Sequence, residues 1–199
     1  NYKFLKTKIK TININILINM KTNKLVQKEA EFKLGDVETI NWNDLDYLLK
    51  KASKLKRKRY RFCLHSNHKH PTQEMIICFK GFNYVQPHRH RGKRTESYHM
   101  IKGSMDVYLF ENSGKVKEII RLDANKNKKN SKFFYKLSKS IFHTILPRSK
   151  VTIYHEVLTG PFHEKYISYA KFAPKNKCSD KIALDFFKKC KKNFSEKNK

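Results

Sequence analysis

Between Tyr60 and Val157 the chain is a succession of short runs rich in Ile, Val, Phe and Tyr: YRFCLH, EMIICF, NYVQPH, SYHMI, SMDVYLF, KVKEIIRL, KFFYKL, IFHTIL and VTIYHEV. Each run has the length and composition of a strand, and none sustains the 3.6-residue period of an amphipathic helix. Turn-forming residues punctuate them at Lys80-Gly81, Lys102-Gly103, Asn112-Ser113-Gly114, Pro147 and Gly160-Pro161. Glycine and proline there reverse the chain rather than extend it. Many short strands joined by tight turns form a sandwich or a barrel, so the segment is predicted to be mostly β.

Helices are predicted only at the flanks. Residues 43–54, NDLDYLLKKASK, place Leu45, Leu48, Leu49 and Ala52 at helical spacing, with Asn43 as N-cap and acids in the first turn. The basic stretch KLKRKR at 54–59 links this helix to the strands. Beyond Pro174, Ser179 caps a short second helix whose stripe of Ile182, Ala183, Phe186, Phe187 and Cys190 is expected to dock on the β structure. The closing KKNFSEKNK is expected to fray. At the other end Ile12, Ile14, Ile16 and Ile18 alternate with polar neighbours, the period of a strand. Asn1 stands where a Met is usual, which makes Met20 a candidate start. Residues 1–39 are therefore read as an extension, partly non-native or an added strand. The domain proper is 40–175, followed by a C-terminal helix and basic tail at 176–199.

The formal net charge of +28 invites a nucleic-acid reading. Of the 45 basic residues only 8 are Arg, the side chain that forks onto bases and phosphates. The lysines travel with Asn and Ile, as in TININILINMKTN and NKNKKN, which is the mark of a general compositional drift. A solvated basic surface that attracts small anions is the favoured reading, with nucleic acid disfavoured. Cys63, Cys78, Cys178 and Cys190 form no C-x-x-C pair in a chain that is not Cys-dense, so reduced thiols and a cytoplasmic setting are expected. No stretch approaches the roughly 18 apolar residues of a membrane span.

Residues 81–103, GFNYVQPHRHRGKRTESYHMIKG, carry the chemistry. His88 and His90 are two apart, hence on one face of a strand, where two imidazoles can share a metal at about 2 Å from each nitrogen. A hairpin across RGKRT would fold Glu96 back beside them, and Gly103 closes the next turn, where positive φ is often required. His143, in SIFHTILP, has Ile141 and Ile145 at its parity. Alone it reads as a core imidazole satisfied by a hydrogen bond. Beside the histidine pair and Glu96 it reads as a fourth ligand. A mixed nitrogen and oxygen set suits one divalent ion, Fe, Mn, Ni, Cu or Zn, without choosing among them.

This run resembles the first motif of the cupins: Gly, then H-x-H, then Glu, then Gly. Six residues separate Gly81 from His88 where five are usual, five separate His90 from Glu96 where three or four are commoner, and six separate Glu96 from Gly103 as in the family. The second cupin motif is reduced to its histidine in SKSIFHTILP. A narrower resemblance is to the WbuC-type cupin-fold metalloproteins found among bacterial surface-polysaccharide genes. It is carried by RYRFCLH (59–65), QEMIICF (73–79), YVQPHRH (84–90), ESYHMIKG (96–103), FENSGKV (110–116), FHTILPRS (142–149), HEVLTGPF (155–162) and AKFAP (170–174), roughly residues 40–175. Phe172 stands where another aromatic is usual near the last A-P. The resemblance implies a cupin jelly-roll barrel, a bound metal and, by association, a sugar or sugar-nucleotide substrate.

Other candidates surround this core. His155 and Glu156 adjoin on one strand, so only one faces inward. Parity with Val151, Ile153 and Val157 favours His155, whereas the matched E-V-x-x-G-P motif favours Glu156. Glu156 is taken as a catalytic acid/base and His155 as a substrate contact. Tyr98 shares the parity of Glu96 and is a second catalytic candidate, with core packing as the alternative. Arg59, Arg61, Cys63 and His65 share a face. From it Arg59, Arg61 and His65 are candidate contacts for an anionic substrate, against the alternative of an exposed polar edge. Arg89 and His99 should point outward. His68, His70 and His163 fall in loops without an assigned role. Three functions compete: a metal-dependent enzyme acting on a sugar or sugar nucleotide, a non-catalytic cupin that binds a small anionic sugar, and a nucleic-acid-associated protein. Pairing through a strand edge into a homodimer stays open.

Overall fold

In the computed structural model, which describes residues 24–130 and 132–197, the β-rich runs build two sheets that face each other. The strands are β1 (Lys24–Gln27), β2 (Ala30–Lys33), β3 (Arg59–Cys63), β4 (Thr72–Lys80), β5 (His88–His90), β6 (Glu96–Lys102), β7 (Ser104–Phe110), β8 (Val116–Asp123), β9 (Phe134–Leu137), β10 (Phe142–Pro147), β11 (Val151–Thr159) and β12 (Ile167–Tyr169). The helices are α1 (Trp42–Lys54) and α2 (Asp180–Lys197). One sheet runs β1-β2-β3-β4-β11-β6-β9 and the other β12-β5-β10-β7-β8. Pairing is antiparallel except for β2 with β3. This is the mostly β jelly roll with two flanking helices that the sequence predicts. The alternating Ile12, Ile14, Ile16 and Ile18 and Met20 lie outside the described residues.

Alternation along each strand sorts side chains between the barrel interior and an outer layer. Ile77 and Phe79 of β4, Tyr98 and Met100 of β6, Val107 of β7, Ile145 of β10 and Tyr154 of β11 meet between the sheets. The opposite parities are also buried, because a helix covers each sheet. Leu45, Leu48 and Ala52 of α1 pack on Tyr60, Phe62, Ile76, Cys78 and Ile153. Phe187 and Cys190 of α2 pack on Tyr108, Phe110, Val116 and Leu146. As a result every residue of β7 is buried.

Several local expectations change. The N-cap of α1 is Asn41, not Asn43. The Asn41 side chain accepts from the Asn43 and Asp44 amides, and Asp44 returns a bond to the Asn41 amide, a reciprocal pair available only from this position. NYVQPH forms no strand before His88, because its polar groups are satisfied elsewhere: Gln86 exchanges two 3.0 Å bonds with Asn176, and Tyr84 Oη donates to the Pro174 carbonyl. The tail does not fray from Lys191. It continues α2 to Lys197, with Phe194 packed against the apolar cluster under that helix. All four cysteines are unbridged. No helix among the described residues is long and apolar enough to cross a membrane.

Candidate metal centre

β5 and β10 pair so that His88 lies directly opposite His143. His90, two residues along β5, shares the same interior face. Glu96 arrives differently from the hairpin expectation. β5 and β6 are not paired: the chain leaves β5 in one sheet, crosses the barrel through residues 91–95 and enters β6 in the other. Arg91 N–H bonds the Tyr166 carbonyl, and Arg94 donates to the Pro161 carbonyl at 3.1 Å with its guanidinium 3.9 Å above the Tyr166 ring. The longer spacer before Glu96 is the length of that crossing. Its carboxylate thus faces the histidines from across the cavity.

One ligand atom from each of His88, His90, Glu96 and His143 falls within 4.8 Å of all the others. The tautomers are fixed by the backbone: His88 Nδ1 donates to the Gln86 carbonyl at 3.0 Å, and His143 Nδ1 donates to the Ile141 carbonyl at 2.9 Å. Each Nε2 lone pair is left facing the cluster, the outer-shell arrangement typical of metal-binding imidazoles. His143 Nε2 lies 2.7 Å from Glu96 Oε2, yet both atoms are buried without a hydrogen-bond partner. His90 Nε2 is 3.4 Å from Glu96 Oε1. A lone pair and a carboxylate oxygen that close repel unless a cation lies between them, so the donor set fits a divalent ion. Without an ion, a proton on His143 would take that place. Burial disfavours charge on Glu96, but His143 and His90 overcome it and hold the carboxyl well below its usual range. Burial likewise opposes protonation of His143, and Glu96 reverses this and raises its pKa. Burial, with His143 beside it, drives His88 down to about 3, so it stays neutral.

The cavity around the cluster has two lobes, of about 140 and 160 Å³. Arg61, Met75, His88, Glu96 and Glu156 border both. The first lobe is completed by Arg59, Phe79, Tyr98, Thr144 and Tyr154, the second by Cys63, His65, His68, Gln73 and Phe162. Arg59, Arg61, Cys63 and His65 therefore line the interior rather than an exposed edge. Glu156 is inside, and burial, reinforced by Glu96, raises its carboxyl to about 8. Tyr98 is inside too, stacked on Tyr135 at 5.5 Å and edge-on to Tyr154 at 5.4 Å. Arg89 points outward, over the Phe142 ring and onto Asn112. His99 is exposed, against Phe133 and Phe134.

His155 is the correction. It lies on the outer face of β11, where Nε2 meets Glu74 Oε1 at 2.8 Å, and it does not border the cavity. Apolar parity misassigned it because Ile153, its neighbour at that parity, is buried under α1 rather than inside the barrel. His68 and Phe162 have the reverse history: both border the second lobe without any periodic signal. Their loops are brought together by a 2.7 Å bond from the Phe162 amide to the His68 carbonyl, a contact between residues remote in sequence.

Strand order and side-chain placement together define the class: a cupin-fold barrel whose interior gathers three histidines and a glutamate that could hold a metal ion. A family model described as a domain of unknown function, DUF6016, matches residues 40–122, which include His88, His90 and Glu96. No curated protein matches the sequence. Among solved structures, a Shewanella oneidensis protein aligns at 8% identity and TM-score 0.48, covering 66% of this chain and 85% of its own. KdgF from a Halomonas species aligns at 13% and 0.40, covering 54% and 83%. A cupin superfamily protein from Desulfitobacterium hafniense aligns at 14% and 0.38, covering 54% and 84%.

Proposed function

We propose that the barrel holds one divalent ion on His88, His90, Glu96 and His143 and, with it, transforms a small sugar-derived substrate. The observation that carries this reading is the convergence of these four side chains with two imidazoles locked by backbone carbonyls and two buried ligand atoms left without hydrogen bonds. When bound, such an ion polarises a carbonyl or hydroxyl oxygen, or acidifies a water. The chain supplies the rest. Glu156 borders both lobes beside Glu96 and is suited to carry a proton to or from the substrate. Tyr98 lines the same wall as a second proton-bearing group. Arg59, Arg61 and His65 offer donors to substrate oxygens. One metal beside one acid/base suits isomerisation or epimerisation. The sugar or sugar-nucleotide class, in bacterial surface-polysaccharide synthesis, is supported by the WbuC-type resemblance.

Protein purified without chelators should carry about one equivalent of metal per chain. A His88→Ala, His90→Ala double variant that keeps full metal would sink the assignment. The catalytic part is tested by incubating metal-loaded protein with sugars and sugar nucleotides. Binding without product after long incubation selects the non-catalytic cupin instead.

A further inference from the structure

The two arginines of β3 differ in a way that bears on the substrate. Arg59 Nη2 is 3.1 Å from Glu29, which also receives Arg57, so its charge is already matched. Arg61 has no carboxylate within ion-pair distance among the described residues; its Nε–H, like that of Arg59, is buried without a hydrogen-bond partner, and its polar neighbours are Cys63 and Glu156. It borders both lobes, next to the metal centre. A guanidinium in such a place recognises an oxyanion through paired N–H donors, and with Glu96 and Glu156 on the same walls a monoanion meets less repulsion than a dianion. A phosphate dianion would leave a surplus negative charge near Glu96.

Size and hydrogen bonding narrow the rest. The lobes, about 140 and 160 Å³, together lie at the floor of the range of roughly 300–1,000 Å³ for ligand pockets. That floor suits a monosaccharide-sized molecule, whereas a sugar nucleotide would project far into solvent. The second lobe carries donors but, beyond the Glu96 and Glu156 it shares, no carboxylate. Its His65 Nδ1 is held 3.0 Å from both the amide and the carbonyl of Glu74, which fixes the ring and leaves Nε2 toward the lobe. The net charge of +28 draws small anions toward the barrel.

We infer that the ligand is a monosaccharide-sized carboxylate, a sugar acid, whose carboxylate pairs with Arg61 while its hydroxyls occupy the lobe lined by His65. This rests on the metal-site reading above and replaces the sugar nucleotide within it.

The test uses full-length protein loaded with Zn²⁺ and titrated calorimetrically with D-glucuronate, D-glucose, glucose 1-phosphate and UDP-glucose. D-glucuronate should bind at least about tenfold more tightly than the other three, the range of a charge-assisted hydrogen bond. Arg61→Gln should weaken D-glucuronate by a similar factor and leave zinc content at the wild-type level, and Arg61→Lys should recover part of the loss. Equal or tighter binding of UDP-glucose or glucose 1-phosphate overturns the inference, as does an Arg61→Gln protein that binds D-glucuronate normally or loses its zinc. Wild-type protein that takes up no zinc overturns the metal reading itself, and the sugar acid with it.

Discussion

Replacing Glu96 by Gln separates a metal centre from a structural ion pair, because the two roles predict different responses of the same variant. His143 Nε2 and Glu96 Oε2 are 2.7 Å apart, and without an ion a proton on His143 would join them as a charged, hydrogen-bonded pair. A glutamine of the same shape can donate its amide N–H to a neutral His143, whose Nδ1 already donates to Ile141. Glu96→Gln should therefore cost the metal-free protein only about 1 kcal/mol, the net worth of one hydrogen bond. With metal present the consequence is larger. An ion at a hundred times its Kd stabilises the fold by about 2.7 kcal/mol. In a chain of this length that raises Tm by about 5–10 °C. A hundredfold weaker site, the upper range for loss of even an outer-shell partner, retains about 0.4 kcal/mol at the same concentration, or about 1 °C. The assay is thermal unfolding of chelator-treated wild type and Glu96→Gln, with and without added Zn²⁺, Mn²⁺, Fe²⁺ or Ni²⁺. The reasoning is refuted if no ion shifts the wild type. It is also refuted if the variant loses the roughly 3–5 kcal/mol of a broken buried pair while keeping the full metal shift.

Glu156 has an unfolded pKa near 4.5 and a folded value raised to about 8, so the folded state binds the extra proton between them, and stability falls as pH rises through that window. Glu156→Gln should stabilise metal-free protein by up to about 3 kcal/mol at pH 7 and by little at pH 4.5; parallel urea curves for variant and wild type across pH 5–8 would refute this. Gly103 sits at φ +74°, and an added Cβ would overlap the Val151 carbonyl oxygen and crowd Ser149. Gly103→Ala should thus lose at least about 1–2 kcal/mol from the backbone conformation alone, read as a lowered urea midpoint. Leu48→Ala, at a fully buried position under α1, should cost about 2–5 kcal/mol with metal content unchanged. His155→Ala should change stability by no more than about 1 kcal/mol and leave metal content and ligand binding at wild-type levels, as expected for a half-exposed pair with Glu74.

Much of this barrel was legible because its determinants are local. Strand length, turn residues and the two-residue period of His88 and His90 are written within a few positions of each other. The interior placement of Glu96, Tyr98 and His143 follows from the same period. What escaped depends on contacts between distant segments. Gln86 pairs with Asn176, which keeps residues 83–87 out of the sheet. The crossing from β5 to β6 resembles a hairpin in sequence, since both need a short polar connection, and only the pairing of β6 with β11 and β9 reveals which it is. His155 was misread for a further reason. A sheet covered by a helix is apolar on both faces, and hydrophobic parity then no longer marks the inside. On β11 the polar residue at the rarer parity, Glu156, was the better guide.

The same topology explains why the site can be sensitive to an ion. His88 and His143 are opposite each other on one ladder, so their separation is set by strand pairing, and each is aimed by the carbonyl two residues before it. His90 belongs to that sheet as well. Glu96 alone comes from the facing sheet, next to Leu158 of β11 and Leu137 of β9. Three ligands are thus preorganised by a single sheet, and the fourth depends on how the two sheets sit against each other. Binding an ion would couple those sheets at the point where Arg61, Glu156 and both lobes of the cavity meet. Such an ion would bear on more than the chemistry of a bound oxygen: it would fix the width of the space in which a substrate must fit. A carboxylate seated on Arg61 of one sheet, with the ion held mainly by the other, would bridge the same gap, so metal and ligand should each tighten the binding of the other.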